Sequence, residues 1–90
     1  MPGRINIEVK LFGAFRELQE KSYRFDLPCG VHVDEVREAL KSAIAKKSPQ
    51  FAQKNLLDVS ALATETAILR NDDVLTQDTQ LAILPPISGG

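Results

Sequence analysis

The sequence predicts an α+β domain: one sheet packed on one face by a single main helix, with a short helix following it. Three observations carry that expectation. Two early stretches alternate apolar and polar residues with period two, a middle stretch repeats apolar residues at helical spacing, and three short apolar stretches follow it. One amphipathic helix can cover only one face of a sheet, so the order β, β, α, β, β, β points to a two-layer arrangement.

Residues 5–11 set Ile5, Ile7, Val9 and Leu11 on one side and Asn6, Glu8 and Lys10 on the other, the mark of a half-buried strand. Tyr23, Phe25 and Leu27 alternate with Arg24 and Asp26 in a second strand of the same kind. The segment between them is too long for a tight hairpin turn, and Phe15 and Leu18, three apart, suggest one helical turn closing the end of the core. Pro28-Cys29-Gly30 then breaks the chain.

Val33, Val36, Leu40, Ala43, Ile44 and Lys47 recur at helical spacing, which places the main helix over 33–47. Asp34 and Glu35 in its first turn and Lys46 and Lys47 in its last both complement the helix dipole. The cap position falls to His32, a poorer acceptor there than Ser, Thr, Asp or Asn. Ser48-Pro49 stops the helix and is suited to start a short one over 48–54, with Ser48 as cap and Pro49 in the first position. Strands over 59–63, 67–70 and 80–84 follow, separated by turns at Thr64-Glu65-Thr66, Asn71-Asp72-Asp73 and Gln77-Asp78-Thr79.

Bulk properties exclude several function classes. Ninety residues hold one modest core and no second domain. A net charge of −1 with scattered basic residues does not suit nucleic-acid binding, which needs a basic face. No apolar stretch is long enough for a membrane span and the start does not read as a signal peptide, so a cytoplasmic protein is expected. The single Cys29 forbids an internal disulfide and fits a reducing compartment. Cys29 and His32 lack companions for nucleophilic or acid–base work, Asp72-Asp73 lacks further carboxylates at calcium-loop spacing, and no metal site is expected.

The later strands differ from the first two. Leu81-Ala82-Ile83-Leu84, Ala61-Leu62-Ala63 and Ala67-Ile68-Leu69 are apolar on both faces. With one helix available, part of that apolar surface is expected to lie open as a partner site, for which Leu62, Ile68, Leu81 and Ile83 are the candidates. The competing expectation is that these strands are central and covered by the chain's own loops.

Residues 1–84 form the domain, and residues 85–90 are read as a flexible tail of Pro85, Pro86, Ile87, Ser88, Gly89 and Gly90. The prolines cannot continue a sheet, and the extended tail reaches on the order of 20 Å. Gly89 and Gly90 carry no side chain, so a narrow tunnel could admit them. The Gly90 α-carboxylate, ionised at neutral pH, is a nucleophile towards an activated phosphate. Adenylation by an ATP-dependent partner would make it a reactive acyl donor, and no other group offers comparable chemistry.

These residues resemble the small subunit of molybdopterin synthase, a ubiquitin-like sulfur carrier. The likeness covers nearly the whole chain: Phe12-Gly13-Ala14-Phe15-Arg16-Glu17-Leu18 after the first strand, the helix start from Val33 to Leu40, Leu75-Thr76, Leu81-Ala82-Ile83-Leu84-Pro85-Pro86, and the Gly-Gly end. It implies a β-grasp fold, a five-stranded mixed sheet packed on one main helix plus a short helix. It also implies that an activating enzyme related to ubiquitin-activating enzymes adenylates Gly90 with ATP, and that a sulfurtransferase converts it to a thiocarboxylate. The tail then enters the large synthase subunit, in a heterotetramer, and gives sulfur to a cyclic pyranopterin monophosphate for molybdenum cofactor biosynthesis. Catalytic residues are expected on the large subunit, and this chain binds no cofactor of its own. Three positions depart from the family: His32 stands for Thr or Ser, Gln77-Asp78-Thr79 replaces Asp-Gly-Asp, which would ask Asp78 to adopt a left-handed conformation, and residues 60–66 lack the usual Asn. Alternatives are carriers for thiamine, tRNA or cysteine thiolation, which usually lack the double proline, a ubiquitin-like modifier joined to lysines through Gly90, and a β-grasp interaction module with an inert tail.

Overall fold

Alternation in the first strand decides which face of the sheet lies inside. The computed structural model describes residues 3–12, 21–49 and 56–85. β1 (Arg4–Leu11) buries Ile5, Ile7, Val9 and Leu11 and turns Arg4, Asn6 and Lys10 outward. β2 (Ser22–Pro28) runs antiparallel to it with Phe25 opposite Ile7, so Tyr23, Phe25 and Leu27 join the inner side. Gly30 has φ 92°, a left-handed conformation open to glycine, and turns the chain into β3 (Val31–His32).

α1 (Val33–Lys47) presents Val33, Val36, Leu40 and Ile44 as its buried stripe. The order then runs α2 (Leu56–Val59), β4 (Ala61–Ala63), β5 (Ile68–Leu69), β6 (Val74–Leu75) and β7 (Thr79–Leu84). Five strands make a mixed sheet in the order β2-β1-β7-β4-β5, with β1 and β7 parallel. β3 and β6 form a separate two-stranded ladder, Val31 opposite Leu75 and His32 opposite Val74.

The helix start shows why His32 suffices. The Val33 amide donates to the Asp73 carbonyl at 2.9 Å and the Asp34 amide to the Asn71 carbonyl at 3.1 Å. These are amides with no partner inside the helix, and a distant loop supplies the acceptors. The Glu35 carboxylate takes the His32 amide at 2.9 Å, which holds its carboxyl below the usual range, assisted by the His32 ring at 3.2 Å. Asp73 is itself fixed, accepting the Arg70 amide on its carboxylate at 2.7 Å. The Asn71-Asp72-Asp73 turn is therefore part of the helix cap as well as a chain break.

α1 is also tied to α2. Arg37 Nη1 donates to the carbonyls of Leu57 and Ser60, both at 2.6 Å, and Nη2 reaches Asn71 Oδ1 at 3.2 Å. Lys41 Nζ bonds Asp58 at 2.8 Å, which raises the Lys41 pKa.

The fold corrects several expectations. The strand expected over 59–63 begins at Ala61 because Leu56–Val59 is helical, and that expected over 67–70 shortens to Ile68–Leu69. The β3–β6 ladder was not anticipated, since each strand is two residues long and sits beside a turn. Leu62, Leu81 and Ile83 offer no open docking surface. They are 0–1% exposed, because Leu62 lies opposite Ile83 and Ile83 opposite Leu11, which puts all of them on the helix side. The helical turn expected at Phe15 and Leu18 and the short helix expected over 48–54 beyond Pro49 lie outside the described residues.

Leu40 is fully buried in this core, so Leu40→Ala should lower the unfolding free energy by about 2–5 kcal/mol in urea denaturation. A folded-state carboxyl held low stabilises the fold above its unfolded pKa and loses that contribution as pH falls. The small stability difference between wild type and Glu35→Gln at neutral pH should therefore shrink as pH drops through about 4.

Candidate functional site

β7 is bonded on both sides, to β1 in parallel and to β4 antiparallel, so residue 85 leaves the middle of the sheet. Because β1 and β7 run the same way, with Leu11 level with Ile83, Phe12 ends up at the same end as Leu84. Ala61 lies opposite Leu84 on the other side. Pro85 follows directly and is half-buried. Pro86, Ile87, Ser88, Gly89 and Gly90 lie outside the described residues.

Parity then fixes the outer face at this end. Leu81 and Ile83 point inward, so Ala82 and Leu84 point outward; Leu62 points inward, so Ala61 and Ala63 point outward, with Ile68 opposite Ala63. Three alanines form a low floor between Ile68 and Leu84, which are 70% and 37% exposed. Phe12, 44% exposed, stands at the rim where the tail begins. Of the residues anticipated for partner binding, only Ile68 lies on this surface. Phe12 and Leu84 were missed, although the second apolar face of residues 81–84 was the signal that could have found Leu84.

The other half of the outer face is polar. Glu8 accepts from Ser22 Oγ at 3.2 Å and Gln80 Nε2 at 3.3 Å, and pairs with Arg24 Nε at 3.5 Å, a net across β2, β1 and β7. The Asn6 amide donates to Asp78 Oδ1 at 2.9 Å, giving Asp78 a structural use in its turn. Asn6, Glu8, Arg24, Asp78 and Gln80 help line a depression of about 370 Å³. Its polar groups are largely spent on one another.

Among the described residues no acid–base pair is assembled around Cys29, whose Sγ donates to the Thr76 carbonyl at 3.3 Å at the end of the sheet away from residue 85. His32 is engaged with Glu35. Among the described residues no group of three or more His, Cys, Asp or Glu is placed to hold a metal ion. No helix among them is long and apolar enough to cross a membrane.

The model of the ThiS family matches residues 9–90, the tail included. The chain belongs to the ThiS family. Its fold is the ubiquitin-like β-grasp of small sulfur carriers. SAMP1 from Haloferax volcanii is similar with a TM-score of 0.67 and 22% identity, over 94% of this chain and 99% of that one. A protein described as molybdopterin converting factor, subunit 1, from Pyrococcus furiosus follows at TM-score 0.63 and 22% identity, over 92% and 99%. Ubiquitin from Caldiarchaeum subterraneum gives 0.59 at 16% identity, over 98% and 100%. No curated protein matches the sequence. At these identities the likeness to the solved structures is one of fold.

The two faces make opposite demands on substitution. Ile68→Asp should leave stability within about 0.5 kcal/mol of wild type, since it replaces an exposed side chain. Leu62→Asp should unfold the domain by burying an unpaired charge, and circular dichroism melts separate the outcomes.

Proposed function

We propose that this chain is the sulfur-carrying small subunit of a molybdopterin synthase, with the Gly90 carboxylate as the reacting group. The carrying observation is that the family match runs through Gly90 and that the strand feeding residues 85–90 is the doubly bonded centre of the sheet. A tail rooted there can be presented to a partner's tunnel without the root moving. Two prolines before a small-residue end favour the pterin pathway over thiamine, tRNA or cysteine thiolation.

In this reading the Gly90 carboxylate attacks the α-phosphate of ATP in an activating enzyme and releases pyrophosphate. A sulfurtransferase persulfide then attacks the acyl carbon and expels AMP. Reduction of the resulting S–S bond by a thiol leaves the thiocarboxylate. In the large synthase subunit it yields its sulfur to the cyclic pyranopterin monophosphate, and water restores the carboxylate. A dithiolene needs two sulfurs, which suits a heterotetramer with two carriers. The exposed Phe12 and Leu84 at the tail root, with Ile68 on the same face two strands from β7, are the surface that docks on the large subunit. The setting is the cytoplasm, and neither nucleic acid nor membrane takes part.

Intact-mass measurement of protein bearing a free Gly90 carboxylate, coexpressed with its activating enzymes, should show one oxygen replaced by sulfur. Deleting Gly90 or appending a tag should abolish sulfur transfer to the pterin while the melt stays unchanged. Survival of transfer would sink the tail mechanism, and higher-mass conjugates to lysines would favour a protein modifier instead. Ile68→Asp and Leu84→Asp should weaken binding to the large subunit by tenfold or more, on the order of 1.4 kcal/mol, with little change in melting temperature. Calorimetric titration reads that directly.

A further inference from the structure

Among the described residues β2 is the long open edge of the main sheet, since the opposite edge, β5, has two residues. Two hydrogen bonds define which of its peptide groups are spare. The Leu11 amide donates to the Lys21 carbonyl and the Cys29 amide to the Gly3 carbonyl, both at 3.0 Å. In the antiparallel register, residues 21, 23, 25, 27 and 29 therefore aim their peptide groups at β1. Ser22, Arg24, Asp26 and Pro28 aim theirs away from the sheet. A run of that length is a template for another strand.

The edge is also self-complementary. An antiparallel second copy related by a two-fold axis at Phe25 would set Arg24 against Asp26 twice, Tyr23 against Leu27, and Phe25 against its own equivalent. The outward peptide groups of Arg24 and Asp26 would then meet in register, with opposite charges on one face and apolar side chains on the other. Arg24 pairs with Glu8 through Nε at 3.5 Å, and with 80% of its side chain exposed it can reach a second acceptor.

One side chain stands in the way. Arg4 Nη2 donates to the Asp26 carbonyl at 2.7 Å, and Arg4 Nε pairs with Asp26 Oδ1 at 3.1 Å. That carbonyl is an outward acceptor an incoming strand would need. The partner strand would run about 4.8 Å away, so a guanidinium at hydrogen-bond distance occupies the place of its amide. The planar fork of arginine holds two acceptors of one residue at once, which a point charge on a flexible stem does less well. Pro28 removes a donor at the end of the same edge.

We propose that Arg4 guards the β2 edge, and that without it the chain pairs through β2 with a second copy of itself, antiparallel about Phe25. The proposal stands apart from the sulfur-carrier reading. Light scattering on size-exclusion peaks and amide exchange by NMR test it on the full chain across a wide concentration range. Wild type should be monomeric, with fast exchange at Ser22, Arg24 and Asp26. R4A should double in mass, and those amides should slow by about tenfold or more while Tyr23, Phe25 and Leu27 change little. R4Q, which keeps much of the stem without the fork, should behave as R4A does and covers the case in which R4A folds poorly. R4A/R24D should return to a monomer, because an acidic side chain at 24 would face Asp26 of the other copy. Folded R4A and R4Q that stay monomeric would overturn the proposal. So would a wild-type dimer with the same amides protected, or an R4A dimer in which they are not.

Discussion

The parallel pairing of β1 with β7, from Ile7 beside Thr79 to Leu11 beside Ile83, puts the last strand of the chain in the middle of the sheet. Parallel neighbours cannot be joined by a short turn, so everything between residues 12 and 78 is the connection, with α1 packed across the inner face. β4 then closes the other side of β7 through Ala61–Leu84 to Ala63–Ala82. A strand bonded along both edges opens only with the global fold, whereas an edge strand frays at little cost. The root of the tail thus inherits the stability of the whole domain. The connection itself is pinned at the Asn71–Asp73 loop, whose carbonyls satisfy the first amides of α1.

That placement also sorts the outer face. Where β1 and β2 meet solvent, Glu8, Ser22, Arg24 and Gln80 satisfy one another across the strands. Where β7 meets β4, alanines at 61, 63 and 82 leave room, with Leu84 next to the tail root and Ile68 two strands away on the same face. A partner meeting this end buries apolar area and desolvates few charges, which favours contact over the polar half. For the proposed insertion of residues 85–90 into a partner, a root held in the sheet lowers the ordering entropy that binding would cost. In the proposed reading fold and chemistry divide accordingly: the sheet supplies position and contact, and the reacting carboxylate belongs to Gly90, six residues past the strand.

Much of this was legible in the chain because burial on one face leaves a period in the sequence. Ile5, Ile7, Val9 and Leu11 announce β1, and Val33, Val36, Leu40 and Ile44 announce α1 with its bounds intact. Residues 81–84 carry no such mark, being apolar throughout, and their faces are set by register with β1 and β4. Hence the sequence alone does not tell that Leu81 and Ile83 face inward and Leu84 outward; the register does. The ladder of Val31 with Leu75 was invisible for a different reason: two-residue strands have no period to read. His32 looked a weak cap because the acceptors that relieve it, on Asn71 and Asp73, are close in space and far in sequence.

Strand order also separates the two exposed features that a second chain could use. The β2 edge lies two strands from β7, and the apolar patch lies on the outer face of β7, β4 and β5 and at the end of β1, where Phe12 follows Leu11. A strand added beyond β2 extends the sheet in its own plane and leaves the patch and the tail root uncovered, so edge pairing and docking do not compete for the same surface. Their hazards differ as well. Docking needs an apolar surface of modest size that stays soluble when free, which a floor of alanines with three larger side chains provides. An open edge recognises any extended chain through peptide groups alone and has no comparable way to be selective. If the chain passes between partners as the proposed function has it, it gains from closing the edge while leaving the patch open, and Arg4 on Asp26 does the first without touching the second.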